Sequence, residues 1–174
     1  MLDFKTSSHA NINHMIASND AKDLQPLSSD SNLNFGLLTR ESIAFQDSID
    51  EVISKCPGKM NFTFDASEDI ELIGASLDED FDLQSNCSLD FYNDVIHLAE
   101  VFIGLTRAKE IGIQLEVVQN ELCRFFHTDR VPYRLITTYK GPTTEWLANS
   151  NVNRNELGKH SNEKVLQDKS QIYN

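Results

Sequence analysis

Long apolar runs are missing from this sequence of 174 residues, and no stretch approaches the roughly 20 residues that a membrane-spanning helix requires. The N-terminus also lacks the basic-then-apolar order of a secretory signal. Cysteine is scarce, with three residues in the chain. Their odd number and wide spacing argue against a disulfide framework. We therefore predict a cytoplasmic protein with reduced thiols and no membrane partner.

Basic residues are few as well. Lysine and arginine together number 15 against 27 aspartates and glutamates, which gives a formal net charge of -12. Between residues 41 and 100 the only basic residues are Lys55 and Lys59. Because nucleic-acid binding needs a basic face, this distribution predicts that nucleic acid is not a partner. Residues 101–147 are close to neutral, so a small anionic ligand remains compatible with that part of the chain.

Length and composition suit one domain with tails. Residues 1–34 are rich in serine, asparagine and aspartate without an apolar period, which predicts a flexible tail. Residues 35–147 are predicted to form a single α+β domain. Residues 148–174 are polar and are predicted to be either a tail or a truncated continuation of the domain.

Apolar periodicity predicts two helices and three strands in the central part. The predicted helices cover residues 40–55, ended by Pro57-Gly58, and 88–109, closed by Gly112; the predicted strands cover residues 60–64, 111–117 and 134–139. The expected architecture is a helical N-terminal half packed on a small, mainly antiparallel sheet. An incomplete cupin-like double-stranded β-helix would fit this description.

One segment, residues 123–147, gathers most of the side chains that could carry chemistry. They are Cys123, His127, Asp129, Arg134, Tyr139, Glu145 and Trp146. In a strand, residues two apart point to the same face, so His127 and Asp129 would converge. An imidazole and a carboxylate are two of the three ligands in the facial triad of non-haem Fe(II) oxygenases. We therefore predict His127 and Asp129 as ligands of a divalent metal, either iron or zinc.

The same hypothesis gives the neighbouring side chains supporting roles. Arg134 would meet an anionic co-substrate such as 2-oxoglutarate. The remaining members of the segment would lie around the substrate or behind the metal ligands: Cys123, Tyr139, Glu145 and Trp146.

Three other interpretations of the segment stay open. Asp129 and Arg134 could form a structural ion pair, with His127 as a hydrogen-bonded core residue. Cys123 and His127 have spacing suited to zinc, but a structural zinc site needs a second pair of ligands that the sequence does not offer. Cys123 could be a nucleophile activated by His127, although no third group is evident to orient the imidazole.

The block from about residue 93 to residue 147 resembles an uncharacterised bacterial family, domain of unknown function 1826. The matching residues are Leu115-Glu116-Val117-Val118, Cys123, Phe126-His127, Asp129, Arg134-Leu135, Thr138-Tyr139, Gly141-Pro142 and Thr144-Glu145-Trp146. The resemblance implies a link to metal homeostasis and to metal-trafficking GTPases, but no defined reaction. It also implies a His-Arg-Ser-Pro segment beyond the tryptophan, which this chain lacks, so we expect a chain cut short at its C-terminal end.

Two hypotheses follow from the residues and the resemblance. In the first, the protein is a metal-binding domain of cupin or oxygenase design. In the second, it binds metal or a partner without turnover, or is an inactive fragment of the family. Whether it is an enzyme stays open. An incomplete sheet would leave an open edge, which also predicts a homo-oligomer.

Overall fold

The computed structural model describes residues 14–41, 46, 49–56, 58–66, 86–119 and 123–173, without the side chains of residues 86–88. The strands are β1 (Met15–Ser18), β2 (Phe35–Leu38), β3 (Lys59–Asp65), β4 (Glu110–Glu116), β5 (Trp146–Leu147) and β6 (Ile172–Tyr173). The α-helices are α1 (Ile49–Lys55), α2 (Asn86–Thr106) and α3 (Asn162–Val165), and 3-10 turns cover Ala21–Ser28, Asn149–Asn151 and Arg154–Glu156. The described residues fall into two compact units.

The central unit comprises the described residues of 40–124 and 131–143. Its core is the antiparallel pair β3–β4, in which Phe62 faces Ile113 and Phe64 faces Ile111, with α1 and α2 packed on it. The buried apolar residues of this core include three at helical spacing on α2 and one on each of the two strands. They are Ile49, Val52, Met60, Phe91, Val95, Ala99 and Ile111. The predictions of a long helix and of strands near residues 60–64 and 111–117 are thereby confirmed.

Helix α2 ends earlier than the sequence predicted. Arg107 takes a left-handed conformation with φ of 54°, and its N–H donates to the Ile103 carbonyl at 2.8 Å. The Thr106 hydroxyl donates back to the Phe102 carbonyl of the preceding turn at 2.7 Å. These bonds close the last turn in the way that a glycine usually does. Gly112 was wrongly assigned that role, because it lies inside β4 opposite Thr63.

The second structured part, which we call the terminal unit, comprises the described residues up to Thr39, residues 125–130 and those from Thr144 onward. Strands β1 and β2 pair in parallel, and β5 pairs with β6 in antiparallel register, Trp146 opposite Tyr173. The Trp146 ring stacks on Phe35 at 4.2 Å and on Tyr173 at 4.6 Å between ring centroids. Residues 14–34 and 148–173 thus contain paired strands and 3-10 turns, where the sequence indicated polar tails.

A buried asparagine organises the C-terminal part of the terminal unit. Asn151 is only 2% exposed. Its Nδ2 donates to the carbonyls of Asp168 at 2.9 Å and Gln171 at 3.0 Å, and its Oδ1 accepts from the Asp168 N–H at 2.6 Å. These three bonds reach backbone groups that lie 17 and 20 residues further along the chain. This explains how a polar sequence without apolar alternation keeps a defined structure.

The predicted strand over residues 134–139 does not form. Residues 131–140 have no ladder partner among the described strands, and Val131, Tyr133 and Ile136 are exposed. The segment is instead held by a side-chain contact, in which the Tyr139 ring meets the Phe91 ring edge-on with centroids 5.0 Å apart. Local alternation cannot distinguish this arrangement from a strand.

The fold class is α+β, as predicted. Three separate two-stranded sheets are present, two of them antiparallel, and no barrel closes within the described ranges. The described residues thus show no cupin-like double-stranded β-helix, and that part of the prediction is not confirmed.

Burial and the nearby positive charge of Arg154 lower the pKa of His14 in the terminal unit from its ordinary value of 6.5. The neutral ring also accepts a 3.4 Å hydrogen bond at Nε2 from the Asn149 N–H. Because the folded pKa lies below the unfolded one, the stability it contributes is fully present above pH 6.5 and is lost as the pH falls through the folded pKa. We expect the melting temperature of His14→Ala to fall less steeply than that of the wild type between pH 7.5 and 5. Parallel melting curves over that range would contradict this.

Candidate functional site

The structure brings His127 and Asp129 together, although neither lies in a strand. The His127 Nε2 atom is 3.4 Å from Asp129 Oδ1, and both residues belong to the terminal unit. The side chains are 46% and 33% exposed, respectively, so water and ions can reach them. The predicted convergence of these two side chains is therefore present, but on an irregular segment.

A backbone contact favours one tautomer of the His127 ring. Its Nδ1 lies 3.0 Å from the Phe125 carbonyl oxygen. A carbonyl can only accept, so Nδ1 carries a proton and donates it. In the neutral ring Nε2 is then the unprotonated nitrogen, and it is the one that faces Asp129. Histidines that bind metals are commonly oriented by this kind of bond from the opposite nitrogen.

Two electron-rich atoms thus point at each other across a short gap. A positive charge lying between or on the Nε2 atom of a neutral His127 and the Asp129 carboxylate would stabilise their approach. A proton on Nε2 supplies that charge in an imidazolium–carboxylate pair, and a divalent cation supplies it in a metal site. Charge-assisted N–H···O bonds are commonly about 2.7–2.9 Å long, shorter than the separation observed here. Two ligands of tetrahedral zinc, each about 2.0–2.1 Å from the metal, lie roughly 3.3 Å apart, so the observed separation is compatible with a zinc-like ion as well as with an imidazolium–carboxylate ion pair.

The described residues offer no third protein ligand. No group of three or more histidine, cysteine, aspartate or glutamate side chains with metal-binding geometry occurs among the residues that the structure describes. Cys123 is an exposed thiol without a disulfide, in the central unit. His160 contacts the Phe125 ring edge-on, with centroids 5.2 Å apart. The described donors therefore amount to a two-ligand site, and the complete facial triad that oxygenase chemistry needs is not formed by them.

The other predicted site residues are distributed between the units. Arg134 is exposed in the central unit, whereas the exposed Glu145 and the half-buried Trp146 belong to the terminal unit. Tyr139 is half-buried in the central unit, and its hydroxyl donates to Asp94 Oδ2 at 2.7 Å. Burial, together with the Asp94 carboxylate, raises the pKa of Tyr139 well above its usual value, so the phenol stays a hydrogen-bond donor.

Sequence reasoning missed a polar cluster around Tyr139. Arg40 Nη1 lies 2.6 Å from Asp94 Oδ1, and Arg40 Nη2 donates to the Thr137 hydroxyl at 3.0 Å. Asp94 lies three residues after the buried Phe91, on the face of α2 that packs inward. A carboxylate at such a position is the signal that could have revealed the cluster, because buried charges are almost always paired. The cluster attaches residues 137–139 to α2.

None of the helices among the described residues combines the length and the apolar character that a membrane span needs. Comparison with curated proteins finds no match, and neither does comparison with solved structures. A family model described as "Protein of unknown function (DUF1826)" matches residues 18–174. The match extends well beyond residues 93–147 in both directions and includes His127, Asp129 and the whole C-terminal part of the terminal unit. Because it covers most of the chain, this protein belongs to the DUF1826 family.

Proposed function

We propose that this protein binds a divalent cation of the zinc or ferrous type, with His127 Nε2 and an Asp129 carboxylate oxygen as its protein ligands. The observation that carries the proposal is the facing pair itself, Nε2 and Oδ1 at 3.4 Å with the opposite ring nitrogen donating to a backbone carbonyl. Imidazole nitrogen and carboxylate oxygen suit both metals.

The proposal favours binding without turnover over oxygenase chemistry. Two ligands on an exposed segment leave most coordination positions to water or to another molecule, which suits a cation that is acquired and released. The chain's role is then to present a neutral Nε2 and an ionised carboxylate at a fixed separation. Since both must be deprotonated to bind, affinity should fall as the pH is lowered.

The finer expectations from the sequence are not needed for this function. The cupin-like barrel, an oxygenase reaction with 2-oxoglutarate held by Arg134, a metal-trafficking GTPase partner and a homo-oligomer all stay predictions. A role in metal homeostasis is consistent with a reversible cation site, and we include it in the proposal on the strength of the family resemblance.

Removing either ligand should remove the metal. We expect the wild type to bind about one Zn(II) or Fe(II) per chain in equilibrium dialysis against a fixed free-metal concentration, and His127→Ala and Asp129→Asn to bind much less under the same conditions. Loss of a ligand from a two-ligand site should raise the dissociation constant at least about tenfold. The measurement is elemental analysis, followed by competition titration against a chromophoric chelator.

A matched control uses a histidine that the proposal leaves out. His97 is exposed on α2 in the central unit, so His97→Ala should retain the wild-type metal content. Equal metal content in the wild type and both site variants would end the proposal.

A further inference from the structure

One peptide group beside the candidate site is held at both of its ends. The Phe126 N–H donates to Asn162 Oδ1 at 2.9 Å, and the Phe125 carbonyl of the same peptide group accepts from His127 Nδ1 at 3.0 Å. A peptide group is planar and trans, so its N–H and C=O point in opposite directions along one plane. Fixing the direction of the N–H therefore fixes the direction in which the carbonyl meets the imidazole.

Asn162 is well placed to provide that fixed point. It is half-buried, is the first residue of α3, and follows Phe126 by 36 positions in the sequence. The helix is anchored by Val165, 2% exposed, whose carbonyl accepts from the Asn153 N–H at 2.8 Å. The His160 ring also packs edge-on against Phe125. The irregular segment 125–130 is thus oriented by contacts with α3 and His160 of the same unit.

The two bonds reinforce each other. An acceptor on the N–H polarises the peptide group, which makes its carbonyl oxygen a stronger acceptor for the Nδ1 proton. A stronger Nδ1–H···O bond favours the tautomer in which Nε2 has the free lone pair. Without Asn162 the peptide plane can rotate, and the ring loses the bond that selects both its tautomer and its direction.

We infer that Asn162 is a positioning residue for the His127–Asp129 site, acting through the Phe125–Phe126 peptide group to hold the His127 proton on Nδ1 and to aim Nε2 at Asp129. This inference rests on the proposed function for its effect on metal affinity. Its effect on the tautomer is independent of whether the protein binds metal.

The experiment uses the full chain, labelled with ¹⁵N at histidine, in three variants. Asn162→Ala removes the acceptor, Asn162→Asp keeps an oxygen that can accept from the Phe126 N–H, and Asn155→Ala is a control at an exposed asparagine of the same unit. Imidazole ¹⁵N spectra of metal-free protein at pH 8 report the tautomer, with the His127 signals assigned by their loss in His127→Ala. Titration with Zn(II) reports affinity.

We expect the Nδ1–H tautomer to dominate at His127 in the wild type, Asn162→Asp and Asn155→Ala, and to lose its dominance in Asn162→Ala. In Asn162→Ala the dissociation constant for Zn(II) should rise about tenfold or more, the range typical of residues that orient a ligand. In Asn162→Asp it should stay within a factor of about three of the wild type. A purely structural role would lower the melting temperature without changing the tautomer of the folded fraction.

The failures can be told apart. If His127→Ala binds Zn(II) as well as the wild type, the proposed function is wrong. The role of Asn162 is then tested by the tautomer ratios alone. If His127→Ala loses Zn(II) but a folded Asn162→Ala keeps the wild-type tautomer, only the positioning inference is overturned. Should Asn162→Ala not fold, an Nε2–H tautomer in the wild type or in Asn162→Asp overturns the inference, and the Nδ1–H tautomer in both supports it.

Discussion

Asn151→Asp is expected to lower the free energy of unfolding of the terminal unit by about 4 kcal/mol at pH 7, and Asn151→Ala by about 3 kcal/mol. The wild-type amide donates two hydrogen bonds to backbone carbonyls and accepts one from a backbone N–H while almost fully buried. Alanine removes the partner of the Asp168 N–H and of the Gln171 carbonyl, while the Asp168 carbonyl keeps its 3.3 Å bond from the Gln171 N–H. Aspartate replaces the donating NH₂ with an oxygen that faces the carbonyls of Asp168 and Gln171, and it introduces a buried charge.

Denaturant unfolding at several pH values measures this effect. Burial should raise the pKa of the new carboxyl, so the deficit of Asn151→Asp should shrink as the pH falls and the carboxyl is protonated. Asn155→Asp adds the same charge at an exposed position of the same unit and should change stability by less than about 0.5 kcal/mol. An Asn151→Asp protein as stable as that control would show that the hydrogen bonds of Asn151 do not hold this part of the chain.

Asp94→Ala should destabilise the central unit by about 3 kcal/mol, the second large effect we expect. It removes the carboxylate that both the Arg40 guanidinium and the Tyr139 hydroxyl contact, and leaves a largely buried guanidinium without this counter-charge. Tyr139→Phe removes one hydroxyl and leaves the Arg40–Asp94 pair intact, so it should cost only about 1 kcal/mol.

A double-mutant cycle tests the connection within this cluster. In the Asp94→Ala background the Tyr139→Phe change should cost less than it does in the wild type, because the hydroxyl no longer has its acceptor. Asp90→Ala, an exposed carboxylate one helical turn earlier on α2, is the control and should be close to neutral. Additive effects of the two cluster mutations would contradict the geometry described for Asp94 and Tyr139.

The core of the central unit is the part of the fold that the sequence allowed us to predict. Phe91, Val95 and Ala99 recur along α2 at the spacing of one helix face, and Met60, Phe62 and Phe64 alternate along β3. Each pattern records burial against one neighbouring layer, so it can be detected from adjacent residues alone.

The terminal unit could not be predicted in that way. Its β1–β2 pair is parallel and only four residues long, and its β5–β6 pair has two residues in each strand. Order there comes from the ring of Trp146 and the amide of Asn151, whose partners are distant in the sequence. No local periodicity records such contacts, so the segment appeared to be a polar tail.

The closeness of His127 and Asp129 was predicted from strand geometry, but the segment that contains them is irregular. Spacing by two residues does bring the side chains of His127 and Asp129 together, although the segment is not a strand. The contribution of Asn162 could not be foreseen, because it acts through a backbone N–H 36 positions away. The assignment of His127 and Asp129 as metal ligands stays a prediction.

The most direct test of that assignment is the imidazole ¹⁵N spectrum of the wild-type protein during titration with Zn(II) at pH 8. We predict that the His127 Nε2 resonance moves to the position of a metal-bound nitrogen at about one equivalent, while Nδ1 keeps its proton. We also predict that Asp129→Asn abolishes this shift at the same zinc concentration. His127 resonances that do not move at saturating Zn(II), or binding through Nδ1, would contradict the site described here.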